Sequence, residues 1–305
     1  MNRRDFLAAA GAAAAAVAVP ASGVHAAQAP PPLAAPPPKG RYRAGLVAYS
    51  YQRALAAKTM TYEDLVRIVV ETGADGIDLT SYWLPTENLD AYLLSLRKLA
   101  WKNRVEIYSV GTRIQLVAQG TAEGRERQLA ETRKWVGVAQ KLGASHIRVF
   151  SGSKPASLTL EQALDFSAET FKAAADISGP HGITLGLEDD GGMTEYAKET
   201  IEIVKRANHP YAGMNLDIGN FRPPKVYDQI EMSVPYAVST HFKTTVANDD
   251  GSTPRAPFDW DRVMKMFIAG GYKGYLGLEF EATGDPAAEV PVALKKLVEL
   301  AAKYS

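Results

Sequence analysis

Four short runs in the second half of the chain constrain its fold more than any other feature: ITLGLEDDGG, MNLDIGN, VSTHFKT and YLGLEF. Each is an apolar, β-type run that carries one metal-competent side chain to its end, in turn Glu188, Asp217, His241 and Glu279. They recur roughly 25 to 40 residues apart, which leaves room for one helix between consecutive strands, the βαβ rhythm of a parallel sheet. If that sheet closes into a barrel, the C-terminal ends of its strands form one rim, and side chains there converge on one pocket. Two glutamates, one aspartate and one histidine at such a rim make an oxygen-rich site for one hard or borderline divalent cation. Glu188 and Glu279 each end the run LGLE, where a buried charge is costly without a metal or a strong partner.

The rest of the chain keeps the same rhythm. Strands are expected at Ala44 to Tyr49, Gly76 to Leu79, Val105 to Val110 and His146 to Phe150, then at the four runs above, the last over Gly274 to Phe280. Helical periodicity marks Tyr62 to Glu71, Leu89 to Lys102, Ala122 to Leu142 and Leu160 to Ser178 in the first half, with Gly73, Gly143 and Gly179-Pro180 as stops. It returns at Tyr196 to Arg206, Trp260 to Ala269 and Ala287 to Tyr304. Eight strand-then-helix units over about 260 residues predict an α/β fold, a single-domain (β/α)8 TIM barrel over residues 41–305. A doubly wound open sheet is the competitor. It is disfavoured because no GxGxxG follows the first strand and ligand-type residues end four successive strands, not one switch point.

Acidic and basic residues balance at 34 each, which gives no electrostatic grip on nucleic acid or an anionic membrane and points to a small-molecule partner. There is no cysteine, so disulfides, thiolate metal sites and cysteine nucleophiles are excluded. The compartment is read from MNRRDFLAAAGAAAAAVAVPASGVHA, where Arg3 and Arg4 precede an alanine-rich stretch. This resembles a twin-arginine export signal, so the export machinery is an expected partner and the periplasm the expected destination. The alternative, a membrane anchor, is disfavoured because the apolar segment is weak, broken by Gly11 and Pro20, and shorter than the ~20 residues a span needs. The signal is assigned to residues 1–27, and the Pro/Ala-rich stretch at 28–40 is read as a spacer. A route that exports folded protein lets a metal be loaded in the cytoplasm, before competing ions are met.

Further candidates surround the four. His146 and Arg148 are separated by one residue on the fourth strand and are expected to share a face, with Arg148 offering a planar fork of donors to substrate oxygens. The bland alternative for Arg148 is an inward ion pair with a carboxylate. Lys243, two residues after His241, is a candidate to neutralise an enolate or bind a hydroxyl. Asp189, Asp190 and Glu281 are neighbouring carboxylates, and depth alone separates Glu279 from Glu281 on the same strand face. Tyr49, Tyr51, Trp83 and Phe221 stand near strand ends and either wall the pocket or pack in the core. His181 and His209 precede strands at the opposite rim and are read as structural.

From about Leu46 to the C-terminal helix, the chain resembles the sugar phosphate isomerase/epimerase superfamily, the xylose-isomerase-like TIM barrels. That resemblance implies one divalent ion held by Glu188, Asp217, His241 and Glu279, with Mn2+ foremost and Mg2+, Co2+ or Zn2+ as alternatives. It also implies that Glu188 and Glu279 act as catalytic base and acid on opposite sides of an enediolate. The chain has EDDGG where related members often have Glu-Asn-His-Gly-Gly. It has DIGN where they have Asp-x-x-His, so Asn220 takes the histidine's place as a candidate substrate contact. The expected activity is sugar isomerisation or epimerisation by proton abstraction next to a carbonyl. Two alternatives stay open: a lyase or hydratase acting on 3-keto sugars or glycosides through the same enolate, and a non-catalytic periplasmic sugar-binding barrel. DNA repair, the work of another branch, needs more metal ligands and a basic face.

Overall fold

The computed structural model describes residues 42–305. The signal and spacer assigned above lie outside the described residues. Eight parallel strands close into a barrel: β1 (Tyr42–Val47), β2 (Gly76–Thr80), β3 (Glu106–Gln115), β4 (His146–Phe150), β5 (Thr184–Glu188), β6 (Ala212–Asp217), β7 (Ala237–Phe242) and β8 (Gly274–Leu278). Closure is made by β8 lying beside β1, with Leu46 opposite Leu278. After each strand the chain returns through a helix: α1 (Tyr62–Thr72), α2 (Leu89–Lys102), α3 (Ala122–Leu142), α4 (Leu160–Ser178), α5 (Ala197–Ala207), α6 (Val226–Ser233), α7 (Trp260–Gly270) and α8 (Pro286–Tyr304). None of the described helices is long and apolar enough to cross a membrane.

Local chemistry sets the helix ends. Thr61 and Asp64 bond reciprocally at the start of α1, and Thr159 with Gln162 does the same for α4, so each pair satisfies two orphan N–H groups. Gly73 (φ 76) and Gly143 (φ 81) end α1 and α3 in the left-handed conformation that glycine adopts without a Cβ penalty. Outward-facing strand residues such as Leu187, Leu216 and Phe242 are fully buried under the helices. In that layer the Phe242 ring packs edge-on to Phe267 at 5.6 Å. The barrel axis is filled from below by Tyr108, the residue that β3 inserts as a bulge where its register with β2 shifts between Ile77 and Asp78. Gly45, Gly76 and Gly277 make room for that ring, since a Cβ at any of them would press on it.

Several boundaries differ from the sequence-based expectation, among them that of β8, which ends at Leu278 and not at Phe280. β1 ends at Val47 and the chain turns through a 3-10 segment, Ala48–Tyr51, so Tyr49 belongs to the rim and not to the strand. β3 runs to Gln115, five residues beyond its expected end. α6 was not delimited from sequence at all, and it supplies the return between β6 and β7. A small hairpin, Thr245–Val246 with Ala256–Pro257, decorates the loop after β7. At the opposite face His181 Nδ1 lies 3.2 Å from Gln140 Nε2 and His209 Nε2 lies 3.3 Å from Asp176, contacts that tie α3 and α4 to the loops below.

Candidate metal centre

Glu188 and Asp217 are the last residues of β5 and β6, His241 is the penultimate residue of β7, and Glu279 directly follows β8. Asp217 and His241 share a rung of the β6–β7 pairing, and Gly277 sits opposite His241, which puts Glu279 one inward-facing position above. All four are buried, none more than 5% exposed, and each offers one ligand atom within 4.8 Å of the others. His241 Nδ1 lies 2.7 Å from Glu188 Oε1, 3.4 Å from Glu279 Oε2 and 3.9 Å from Asp217 Oδ2. Neither this nitrogen nor Asp217 Oδ2 makes an aligned hydrogen bond, although both are sealed from water. Buried polar atoms without aligned hydrogen bonds, facing one another in a ring of three carboxylates and one imidazole, are a donor set that a divalent cation completes. The residues present therefore fit a metal.

A lysine balances the cluster. Lys243 Nζ lies 3.1 Å from Asp217 Oδ2 and 2.5 Å from Glu279 Oε2, and it also touches Glu281. Burial disfavours its charge, but Asp217, Glu279 and Glu281 outweigh that and hold its pKa well above the ordinary lysine value. Glu279 is in the mirror position. Burial disfavours its carboxylate, yet the adjacent Lys243 and His241 keep it ionised far below the usual range. Asp217 is pushed up to about 8, chiefly by burial, with Lys243 opposing. Burial also opposes charge on His241, but Glu279 and Glu188 prevail and its pKa is raised well above normal.

A supporting layer lies beneath. Asp78 of β2 is buried and places Oδ2 3.2 Å from His241 Nε2, which leaves Nδ1 as the face turned to the carboxylates. Burial disfavours ionisation of Asp78, but His241 and His146 hold its pKa below normal. His146 is in the barrel but does not line the cavity above it. Its Nδ1 bonds Ser109 Oγ at 2.8 Å, and Nε2 lies against Gly186, where a Cβ would collide with it. Burial lowers its pKa to about 4, so it is neutral at physiological pH. Arg148 shares that strand face and reaches the cavity. Its Nε lies 3.1 Å from Glu188 Oε2, and Nη1 donates to Thr112 O at 2.8 Å and to the Tyr82 hydroxyl at 3.2 Å. The inward ion pair weighed as its alternative is thus present, alongside a cavity-facing position.

The cluster opens into a cavity of about 560 Å³, lined by Lys243, Asn220, Glu281 and Asp190 near the carboxylates. Asp189 is turned the other way, buried, with Oδ1 accepting the Asp217 N–H at 2.9 Å. Of the four aromatic candidates only Tyr49 lines this cavity, stacked on Trp83 at 6.1 Å. Phe221 is core, and Tyr51 faces a separate pocket beside Met60. Sequence reasoning missed Asp78, Tyr82, Arg113 and Gln115. For Asp78 the signal was available: a charge inside the apolar run GIDL carries the same burial cost that marks Glu188.

The comparisons with known proteins bear on the fold. The structure resembles the probable 3-DHS dehydratase AsbF involved in petrobactin synthesis from Bacillus anthracis, at 18% identity and TM-score 0.64 over 84% of this chain and 98% of that one. It resembles the IOLI protein with a bound zinc atom at 14% identity and TM-score 0.70, over 86% and 99%. The D-psicose 3-epimerase of Clostridium cellulolyticum H10, solved with D-tagatose, matches at 15% identity and TM-score 0.67 over 86% and 98%. A search of curated proteins finds no significant match. A twin-arginine translocation signal matches residues 1–20, which indicates export out of the cytoplasm. The description "Xylose isomerase-like TIM barrel" matches residues 66–300, most of the chain, and the protein belongs to that family.

Proposed function

We propose that the protein is a divalent-metal-dependent sugar isomerase or epimerase that moves a proton next to a carbonyl. The observation that carries this reading is the pair Glu188 and Glu279, set on β5 and β8 with His241 between them and both facing one cavity. Glu188, Asp217, His241 and Glu279 would hold the ion, Mn2+ foremost, with Mg2+, Co2+ or Zn2+ compatible with the same donors. A divalent cation bound there supplies Lewis-acid stabilisation of negative charge on substrate oxygens. One glutamate takes the proton from the carbon beside the carbonyl, and the C–H electron pair passes into the enediolate of the sugar. The other glutamate returns a proton. Delivery to the opposite face of the same carbon gives an epimer, and delivery to the neighbouring carbon interconverts aldose and ketose. Arg148 fixes the Glu188 carboxylate through its Nε and is itself anchored on Thr112 and Tyr82. Lys243 sets a buried positive charge beside Glu279 and the cavity, suited to an anionic substrate oxygen. Asn220 is assigned to hydroxyl binding, and His146 to support from below.

The same enolate can instead expel a group from the adjacent carbon, which would make the protein a lyase or hydratase of 3-keto sugars or glycosides. The size of the cavity favours keeping that reading, since it leaves room for a departing group. The export signal supports a periplasmic setting and an unphosphorylated substrate.

The test is proton NMR in D2O with metal-loaded protein and a panel of ketoses, aldoses and 3-keto glycosides. Deuterium should enter at a carbon next to the carbonyl, and Glu188→Gln should slow that by at least about 10²-fold. An epimer or isomer as the labelled species supports the first reading, and loss of an aglycone supports the second. Tight sugar binding with no exchange in the wild type would make the protein a binding module and end both.

A further inference from the structure

The cavity is larger than one sugar needs, and one of its walls is built largely by the end of β3. β3 has ten residues where β2, β4, β5 and β8 have five. Its pairing with β4 passes from Gly111 opposite Arg148 directly to Gln115 opposite Phe150, so three residues of β3 span one of β4. The strand therefore bulges at the rim and rejoins β4 at its last residue. Alternation buries Thr112 and Ile114 and leaves Arg113 and Gln115 exposed, and both line the cavity.

These two side chains are not used internally. Among the described residues Arg113 has no carboxylate partner and donates no side-chain hydrogen bond, and the Gln115 side-chain amide has no partner either. The Arg113 guanidinium lies 3.6 Å from the Tyr82 ring centroid, so its charge rests on an aromatic face while the edges of its fork stay free to donate. Phe150, opposite Gln115 on β4, also lines this wall, with the Arg148 guanidinium 4.0 Å from its ring centroid. Aromatic surface flanked by unpaired planar donors is the chemistry that recognises a hydroxylated ring. No carboxylate is contributed to the cavity by β3 or β4. Volume points the same way. A hexose has twelve non-hydrogen atoms, and even at the ~30 Å³ a water molecule takes in the liquid it would fill only about 360 Å³ of the roughly 560 Å³ available.

We propose that the substrate is a two-ring glycoside, with the reacting keto sugar at the carboxylate–histidine end and a second hydroxylated ring on the β3 wall against Arg113 and Gln115. This rests on the isomerase, epimerase or lyase reading for the chemistry, but the subsite itself is a matter of binding. The test is titration calorimetry of the metal-loaded, full mature protein with fructose and with the fructose-ended disaccharides lactulose, turanose and isomaltulose. At least one disaccharide is expected to bind about tenfold or more tightly than fructose. Arg113→Ala and Gln115→Ala should each weaken that disaccharide far more than they weaken fructose. Because both residues are exposed, the variants should keep the wild-type circular dichroism. Fructose binding as well as or better than every disaccharide, no binding by any disaccharide, or equal losses for one and two rings in the variants, would overturn the subsite. Deuterium exchange read on the same samples separates the two ideas. Exchange without ring preference removes the second-ring site and keeps the chemistry, whereas ring preference without exchange removes the chemistry and keeps the site.

Discussion

His241 is held from both sides, and that makes it the pivot of the cluster at the residue scale. Its Nε2 meets Asp78 and its Nδ1 meets Glu188, so the ring presents one nitrogen to a cation only while Asp78 occupies the other. Asp78→Asn keeps the shape and loses the charge. It is expected to weaken divalent-ion affinity about 10- to 100-fold, measured by competition with a chromogenic chelator, and an unchanged affinity would refute the positioning role. Protons are the second consequence. Without a metal, His241 is held protonated by Glu279 and Glu188 against its burial, and Asp217, with a pKa pushed up to about 8 chiefly by burial, keeps its proton at neutral pH. Both must be deprotonated to act as ligands. Metal binding near pH 7 should therefore release about one to two protons per ion, and apparent affinity should rise with pH toward and beyond 8. Calorimetry in buffers of different ionisation enthalpy measures that number, and affinity that rises on acidification would contradict it. The four ligand candidates were legible because each ends an apolar run. Asp78 and Arg113 were not singled out, since one lies inside its strand and the other beyond Val110, where the third strand was expected to end.

At the scale of elements, seven of the eight helices that follow the barrel strands as returns were legible and α6 was not, for a physical reason. It has eight residues, its N-cap residue Lys225 is in a left-handed conformation (φ 61) and provides no side-chain cap, and it follows Arg-Pro-Pro-Lys, which reads as loop. Its helicity depends on burying Val226 and Ile230 in the core, a tertiary term that local propensity does not carry. The end of β3 was hidden likewise, because GTRIQ contains glycine and pairs with β4 only across a register shift. The barrel floor tests how tightly these strands fit. Tyr108 stacks on Tyr275 with centroids 3.7 Å apart and fills the space beside three strand glycines. A Cβ at Gly277 would lie 2.7 Å from the Tyr108 hydroxyl and 2.9 Å from the Thr240 carbonyl oxygen, and the carbonyl belongs to a strand that cannot retreat. Gly277→Ala is expected to cost about 1–3 kcal/mol by overpacking, read from the urea midpoint at unchanged slope. A midpoint equal to wild type would mean that the floor is looser than these distances imply.

For the whole molecule, closing the barrel gathers charge as well as apolar surface. Each strand buries its outward residues under a helix, but the same closure brings Glu188, Asp217 and Glu279 into one sealed space with His241 and Lys243. The periodicity that made the barrel legible also implied this convergence, because strands of one parallel sheet end on one rim. Lys243 offsets only part of the charge. It reaches Asp217 and Glu279, while Glu188 relies on Arg148 and on His241. A divalent cation that binds the folded rim and not the unfolded chain should then stabilise the entire domain, by about 2.7 kcal/mol at a free concentration 100 times its Kd. For a domain of this size each kcal/mol shifts Tm by roughly 2–4 °C, so stripping the metal with a chelator should lower Tm on the order of 5–10 °C. Adding back Mn2+, Mg2+, Co2+ or Zn2+ should restore it in order of affinity. In Glu188→Gln and Asp217→Asn variants the response to metal should shrink, because each loses a donor that is anionic in the metal-bound state. Equal melting with and without every one of these ions would show that the cluster balances its own charge, and would leave Lys243 as its resident cation.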